Sequence, residues 1–459
     1  MKRKITKMAL LSKTESNPDG TSQGTLQASV VIPQSETISI ESSTLDLELE
    51  RNQTRDYMKI FGGQGFSLVG SALVQFALVW WLTYTTGSAV VLSLATMMVV
   101  LPQVLVSPFS GALVDRWSRK KVMIASDTLS ALTIVGLSLL WSIGAVEFIH
   151  VFVVMAIRST LSSFQWPALQ ASASLMVPEE HLSRVNGMYQ ALQGLARIAA
   201  PALGAMLLVL LPMNFIILID VATAAMAILP LLFIRIPQPT SSDSKPDAGV
   251  SGVVRDIIAG FSYMKNWKGG RFITIALMFT NIVLVPTFAL TPLLVLLHFS
   301  GGAFELAWIE SMMGIGMVLG GITLGVWGGF KRRMLTALVA IFAASASIFV
   351  VGLAPANLLL IAVGGMFIAG MMIPLASGSI MAVVQSIVPP AIQGRVFTVL
   401  ISLGPAMTPV GLALAGAIGE AFGIQAWYLV GGIILALIGI FGGMNRSIMT
   451  LGEITPAQE

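Results

Sequence analysis

The stretch Gly111-Ala-Leu-Val-Asp-Arg-Trp-Ser-Arg-Lys-Lys121 places four basic residues between two long apolar runs. The same pattern continues in both directions along the chain. Except for Arg158 and Arg197, every Lys and Arg lies in the tails or in alternate gaps between apolar runs. Short loops rich in Lys and Arg stay on the cytoplasmic side of polytopic membrane proteins. The charge pattern therefore predicts a protein that crosses a membrane many times.

The composition agrees with many membrane crossings. Of the 459 residues, 55% are apolar and only 10% are charged, and the mean hydropathy is +0.85. A membrane-spanning helix needs about 20 mostly apolar residues and satisfies its own backbone hydrogen bonds in lipid. Twelve such runs begin near Lys59, Ser88, Val122, Phe148, Val185, Met213, Phe272, Phe304, Leu335, Leu358, Arg395 and Ala426. The fold class predicted is all-α, with twelve transmembrane helices.

The orientation follows from the even number of runs. Both termini lie on one side of the membrane, and the basic gaps make that side cytoplasmic. The net charge of +4 and the isoelectric point near 9.4 then reflect this topology and contact with anionic lipid, and they do not require a nucleic-acid partner. We expect a multi-pass protein of the bacterial cell membrane with both termini in the cytoplasm.

Composition also divides the chain into five segments. Residues 1–56 are polar and predict a disordered cytoplasmic tail. Residues 57–236 and 271–445 each hold six apolar runs and predict two helical bundles. Residues 237–270 predict a cytoplasmic linker that includes an amphipathic surface helix, and residues 446–459 predict a second cytoplasmic tail.

The two bundles repeat each other's sequence at a nearly constant offset. Val177-Pro178, followed by Arg184-Val185, recurs as Val388-Pro389 with Arg395-Val396 at an offset of 211 residues. Arg119-Lys-Lys121 recurs as Lys331-Arg-Arg333 at an offset of 212 residues. The matches predict a duplicated, pseudo-symmetric six-helix unit with a cavity between the halves near the bilayer midplane. Rocking of one half against the other would expose that cavity to each side in turn.

Two motifs carry a resemblance to a known family. The segment Gly111–Lys120 resembles the loop 2–3 signature of the major facilitator superfamily, G-x-L-x-D-R-x-G-R-K, with Ser118 in place of the second Gly. The resemblance implies a cytoplasmic gate in which Asp115 and Arg119 join the two halves. The gate residues that it implies, with Asp127 as a further partner for Arg116 or Arg119, are Gly111, Asp115, Arg116, Arg119, Lys120, Asp127, Pro201, Gly204 and Arg395.

The second motif lies in the fifth run. Gly194-Leu-Ala-Arg-Ile-Ala-Ala-Pro-Ala-Leu-Gly204 is similar to the G-P-x-x-G motif of the superfamily's antiporters, with Ala200 where Gly is expected. Gln393-Gly-Arg-Val-Phe397 looks like the macrolide-efflux and siderophore-exporter branch. This resemblance implies export of a bulky, largely apolar compound, such as a macrolide-like drug, by proton antiport with alternating access.

Besides Asp127, four ionisable residues fall inside the apolar runs: Arg158, Arg197, Asp220 and Glu310. Charges are costly in lipid, so each of these residues is a functional candidate by default. They are our candidates for proton coupling. Each has a structural alternative. Arg158 could bond backbone carbonyls, and Arg197 could lie near the cytoplasmic third. Asp220 could face the outer vestibule or pair with either arginine, and Glu310 could lie at the outer water interface.

Polar and soft side chains in the runs are candidates for the substrate cavity. Gln64, Ser67, Ser71 and Gln75 share one helix face, which either lines the cavity or bonds neighbouring helices. The seventh and eighth runs add Asn281, Thr287, Phe288, Thr291 and Met312, although Met and Phe also pack against lipid. Trp427 is expected to anchor at the outer headgroups.

Several functions are disfavoured. The chain lacks a G-x-x-x-x-G-K-[ST] phosphate loop, its three histidines lack ligand spacing, and it has no cysteine. We expect no enzyme activity, no metal and no cofactor. The expected partners are a small apolar substrate, protons and membrane lipid, without nucleic acid, and the expected state is a monomer. The alternatives are a lysophospholipid flippase or siderophore exporter on the same scaffold, and a non-transporting membrane sensor.

Overall fold

The computed structural model describes residues 34–238 and 250–449, and the regular structure in these ranges is helical. By its internal contacts the chain forms two units, Met1–Leu49 and Glu50–Glu459. The second unit carries the membrane-spanning helices. Within the described residues, 12 helices are long and apolar enough to cross a membrane, which confirms the predicted all-α, twelve-span fold class.

We number these twelve helices α1 to α12. Their bounds are Gln34–Thr86, Ala89–Arg116, Arg119–Ser142, Phe148–Met176, Glu179–Leu210, Met213–Phe233, Lys268–Ala289, Ala303–Trp327, Arg333–Leu353, Leu359–Ile387, the pair Pro390–Ala406 and Thr408–Phe422, and Ile424–Met444. The membrane-crossing part of α1 is Arg51–Thr86. Pro405 precedes the break in α11, as expected for a residue that lacks a backbone N–H.

The beginning of α1 corrects one expectation. Residues 34–56 belong to a helix, whereas the polar composition predicted disorder through residue 56. The segment contains several Glu and Leu residues, which are good helix formers, so polarity alone was a poor guide to its backbone conformation. The disorder predicted for residues 1–33 lies outside the described residues, as do residues 239–249 of the linker and the end of the chain from residue 450.

A surface helix occupies the end of the linker. It runs over Val250–Asn266 and exposes Ile258 and Phe261. Its Gly260 touches the backbone carbonyl of Arg395, so closely that an added Cβ would collide with it. The surface helix therefore packs against the beginning of α11.

The loops distinguish the two ends of the helical bundle. We call one the basic end, because it carries Arg119 to Lys121 and Lys331 to Arg333. At the other, which we call the opposite end, the two halves are in contact. The Glu420 carboxylate of α11 accepts hydrogen bonds from the Ser88 hydroxyl and the Ala89 backbone N–H at the start of α2, both at 3.1 Å. A carboxylate at a helix N-terminus is favoured by the helix dipole.

Small residues bring the halves together at the same end. An added Cβ at Gly419 would lie 3.0 Å from the Ala89 Cβ, and Gly416 lies against Ser93. A second contact joins α5 and α8, where the Ser311 hydroxyl donates to the Ile198 carbonyl at 2.8 Å. These contacts join the halves along α2 with α11 and along α5 with α8.

Close packing also holds the C-terminal half together. Gly316 and Gly320 of α8 face the α10 backbone, so that an added Cβ at Gly320 would collide with the Met371 carbonyl. The neighbouring Gly321 has open space around it. These two adjacent glycines form a matched pair for mutation.

We expect Gly320→Ala to lower the stability of the purified protein by about 1–3 kcal/mol, because backbone atoms cannot move aside as a side chain can. Gly321→Ala should be neutral or slightly stabilising, since Ala favours helix. Thermal unfolding in detergent would measure both. Equal melting temperatures for the two variants would show that α8 and α10 do not pack this closely.

Trp427 corrects a second expectation. It was predicted at the outer headgroups, but only 1% of it is exposed. Its indole N–H donates to the Thr287 hydroxyl at 3.2 Å. Gly423 turns the chain into α12 with φ of 84°, and the first turn of α12 then faces α7 and the protein interior instead of lipid.

Candidate functional site

The N-terminal half contains a cavity of about 410 Å³, which we call the polar cavity. Helices α1, α2, α4 and α5 surround it. Its lining is Phe61, Gln64, Gly65, Ser67, Leu68, Ser71, Gln103, Ser162, Gln165, Trp166, Leu169, Tyr189, Leu192 and Gln193. Three members of the polar stripe of α1 thus lie on a cavity wall, and no charged side chain belongs to that lining.

A buried ion pair lies beside the polar cavity. The Arg158 guanidinium of α4 and the Asp220 carboxylate of α6 are 3.0 Å apart, and Asp220 is 2% exposed. The Ser71 hydroxyl of α1 donates to the same carboxylate at 2.7 Å. The structure therefore brings together three residues that the sequence placed in separate helices, and it joins α1, α4 and α6 through one carboxylate.

A second carboxylate has a different environment. Asp127 of α3 is buried and accepts hydrogen bonds from the amides of Gln64 at 2.8 Å and Gln165 at 2.6 Å. Gln165 also donates to the Gln64 oxygen at 2.6 Å. The expected bond from Asp127 to Arg116 or Arg119 is wrong, because Asp127 lies two helical turns beyond Arg119 and faces α1 and α4 inside the bundle.

The C-terminal half contains a cavity of about 330 Å³, which we call the apolar cavity. Its wall comes from α7, α8, α9, α10 and α12, with Arg197 of α5 as its single charged lining residue. Asn281 and Phe288 lie on this wall, as the sequence predicted for candidate substrate contacts. The soft residues Met313, Met317 and Met372 also line it.

A third cavity of about 290 Å³, the bridging cavity, lies between the halves. It shares Arg197, Phe288 and Met313 with the apolar cavity. Gln75, the fourth residue of the α1 stripe, and Glu310 of α8 also line it. Glu310 makes no hydrogen bond or ion pair to any described residue, so its carboxyl group is available to this cavity.

Two cavity candidates occupy other positions. Thr287 is completely buried and bonds the Val283 carbonyl at 2.7 Å, so it belongs to the α7–α12 packing. Met312 is 39% exposed on the outer surface of α8, one residue away from the cavity-lining Met313. Both errors come from rotation of the helix about its axis. Thr291 lines the bridging cavity and also bonds Tyr428 at 3.1 Å.

The gate residues predicted from the Gly111–Lys120 motif lie at the basic end. Arg116 is exposed as the last residue of α2, and Gly111 is half-buried five residues before it. The Arg119 guanidinium donates to the Gln238 side chain at 3.4 Å. The Lys120 ammonium donates to the Leu232 and Ile234 carbonyls at 3.0 Å each, where a cation complements the C-terminus of α6. The Asp115 side chain lies outside the described residues.

The remaining motif residues pack helices together. Pro201 is buried, and an added Cβ at Gly204 would lie 2.6 Å from the Phe76 ring of α1. Arg395 is exposed at the beginning of α11, where the surface helix covers its backbone. Their contribution to gating stays a prediction.

The sequence reasoning missed Gln165, Gln103, Gln193 and Glu420. Gln165 lies seven residues after Arg158, two helical turns along α4, so the helical period could have placed both on one face. Gln193 similarly lies one turn before Arg197. Glu420 had no such signal, because its partner Ser88 is 332 residues away.

Two six-helix halves around buried polar groups and internal cavities define a multi-pass membrane transporter. The model of the Major Facilitator Superfamily matches residues 60–409, and the chain belongs to that family. Its fold and its relatives are those of transporters, not of enzymes.

Curated relatives extend over most of the chain. Macrolide efflux protein A of Streptococcus pyogenes is 32% identical over 413 residues, which cover 88% of this chain and 99% of the relative. Multidrug efflux pump Tap of Mycolicibacterium fortuitum is 27% identical, with coverage of 81% and 91%. The crystal structure of a POT family transporter in complex with thioalcohol conjugated peptide shares the fold, with a TM-score of 0.67, 12% identity and coverage of 86% and 97%.

Proposed function

We propose that this protein exports bulky, largely apolar compounds such as macrolide-like drugs, in exchange for protons and by alternating access. Efflux is the activity named for both curated relatives. The match to the more similar relative extends over nearly the full length of that relative. The observation that carries the proposal is the buried Arg158–Asp220 pair beside a cavity. Siderophores and lipids are the alternative substrates.

The ion pair offers a site for proton coupling. A proton on Asp220 would remove the charge that attracts Arg158 and would weaken the bond from Ser71. The three joined helices would then be freer to move relative to one another. Breaking a buried pair by removing one charge costs about 3–5 kcal/mol, so protonation at this position has a large effect on helix packing. Glu310, which lines the bridging cavity and pairs with no residue in the described part of the chain, is the second candidate.

The cavities offer a path for the substrate. The apolar cavity and the bridging cavity adjoin through Arg197, Phe288 and Met313. Met side chains adapt to ligands of different shape, which suits a transporter of several compounds. Contact of α2 with α11 closes the opposite end in this conformation. We infer that Asp115 and Arg119 form the corresponding gate at the basic end when the bundle opens the other way.

The proton gradient supplies enough energy for such export. One charge that moves through a potential of about 100 mV releases roughly 2.3 kcal/mol. That energy supports a concentration gradient of about fifty-fold for a neutral drug. We further propose that the protein acts as a monomer in the bacterial cell membrane, with the basic end and both termini in the cytoplasm.

Transport in proteoliposomes with an imposed pH gradient tests the proposal. The panel contains a macrolide, a cationic dye, a siderophore and a lysolipid, and collapse of the gradient is the control. We expect uptake or release of the macrolide that requires the gradient. Movement of lysolipid alone, with no dependence on the gradient, would support a flippase and would overturn proton antiport.

A further inference from the structure

The polar cavity is distinguished by how its lining side chains use their hydrogen-bond donors. Both N–H groups of the Gln165 amide are bound inside the protein, one to Asp127 and one to Gln64, each at 2.6 Å. The Asp127 carboxylate can only accept hydrogen bonds, so it fixes which end of the amide faces it. The Gln165 oxygen, which accepts no hydrogen bond from a described residue, is left for the cavity.

Two serines and a further glutamine of the same wall repeat this arrangement. Ser71 donates its hydroxyl proton to Asp220, and Ser162 donates its own to the Ser159 carbonyl at 2.9 Å. The Gln193 amide donates to the Tyr189 hydroxyl. In each case the side-chain oxygen accepts no hydrogen bond from a residue that the structure describes. Ser67 and Gln103 keep both donor and acceptor capacity, since neither forms a side-chain hydrogen bond to a described residue.

The charge behind this wall is negative. Asp127 forms no ion pair with any described residue, because its partners are the neutral amides of Gln64 and Gln165. Asp220 is balanced by Arg158. The lining itself adds no Lys, Arg or His. The polar cavity therefore combines donors, at Ser67, Gln103 and Tyr189, with several oxygen acceptors that lie over one unbalanced carboxylate. The acceptors and the unbalanced negative charge favour a positively charged ligand that donates hydrogen bonds.

We propose that the polar cavity is a subsite for a protonated amine, in which Asp127 is a positioning residue that acts through Gln64 and Gln165. This subsite deepens the proposed function and rests on it. Ser71 lines the polar cavity and the adjacent Ala72 lines the bridging cavity. An amphiphilic substrate would thus place its ammonium group in the N-terminal half and its apolar part towards the C-terminal half.

Binding of three probes to the purified full-length protein tests the subsite. Each probe carries a dansyl fluorophore on the same six-carbon chain, which ends in a primary ammonium, a trimethylammonium or a neutral acetamide. We expect the ammonium probe to bind about tenfold more tightly than the acetamide, with the trimethylammonium probe between them, because charged hydrogen bonds add affinity. Equal affinities for the ammonium and acetamide probes would overturn the proposal.

Variants assign the preference to residues. Asp127→Asn should weaken the ammonium probe about tenfold and leave the acetamide probe unchanged. Asp56→Asn is the matched control, because it makes the same chemical change at a partly exposed residue that pairs with Lys59 at the basic end. Should Asp127→Asn fail to fold, Ser162→Ala removes one acceptor oxygen from the wall and should weaken the ammonium probe by about twofold to fivefold.

If the Asp127→Asn protein lost affinity equally for all three probes, the contribution of Asp127 would be merely structural and the subsite proposal would be overturned. This failure is separable from failure of the proposed function. If the protein shows no preference for the ammonium probe but still transports macrolide in response to the gradient, only the subsite proposal fails. If the protein prefers the ammonium probe but transports none of the compounds in the panel, the export proposal fails instead.

Discussion

The Asp220→Asn protein should lose uphill, proton-driven export and should still insert into the membrane and bind substrate. Asparagine keeps the shape of the carboxylate and its bond from Ser71, but it cannot take up and release a proton. The variant therefore removes the proposed switch with little change of volume, although it leaves Arg158 without its partner charge and so lowers stability. Accumulation against a gradient, measured in proteoliposomes, should fall to the level seen without a pH gradient.

Two controls make this result specific. Asp56→Asn should transport normally, because its carboxylate lies at the basic end and pairs only with Lys59 in the described residues. Arg158→Gln alone should destabilise the protein by about 3–5 kcal/mol, and joint replacement with Asp220→Asn should recover part of that loss, since the uncompensated buried charge is then removed. Full pH-driven export by Asp220→Asn would remove Asp220 from the coupling mechanism.

The second large effect concerns closure at the opposite end. We expect the double variant Ala89→Cys/Gly419→Cys to stop transport when it is oxidised and to recover when it is reduced. The two Cβ positions are about 3.0 Å apart and belong to different halves, so a disulfide there would hold α2 against α11. The natural chain contains no cysteine, so no other thiol can interfere. Transport before and after reductant is the measurement.

A disulfide within one half is the matched control. Gly439→Cys/Phe342→Cys joins α12 to α9 at Cβ positions about 3.3 Å apart, and both helices belong to the C-terminal half. Rigid-body rocking should tolerate that bond. If oxidation of the Ala89 and Gly419 pair leaves transport intact, the opposite end does not open in the cycle and alternating access by these halves is wrong.

The local sequence correctly predicted the features that depend on a single helix. The number of membrane spans follows from the length of the apolar runs, and Ser71, Arg158 and Asp220 were singled out because polar groups are costly in lipid. Their meeting at one carboxylate depends on how α1, α4 and α6 are rotated, which no single run encodes. The sequence had left pairing with Arg158 as one alternative for Asp220, beside pairing with Arg197 and a position facing the outer vestibule.

The positions of side chains that depend on the rotation of a helix about its axis were predicted less well. Met312 and Met313 are adjacent, yet only Met313 lines a cavity. Thr287 and Trp427 bond each other in the interior, although the former was predicted at the cavity and the latter at the headgroups. Close approaches such as that of Gly320 to α10 decide these rotations, and they involve residues about fifty positions apart in the chain.

The two halves differ in what they contribute. The Arg158–Asp220 pair and the polar cavity lie wholly in the N-terminal half, and the apolar cavity lies in the C-terminal half except for Arg197. On the proposed function, substitutions in α7 to α10 that are selected by a new antibiotic would reshape the apolar part of the drug site without disturbing Asp220, the proposed proton acceptor. Resistance spectra should widen through the second half of the gene, while the first half tolerates few changes around its ion pair.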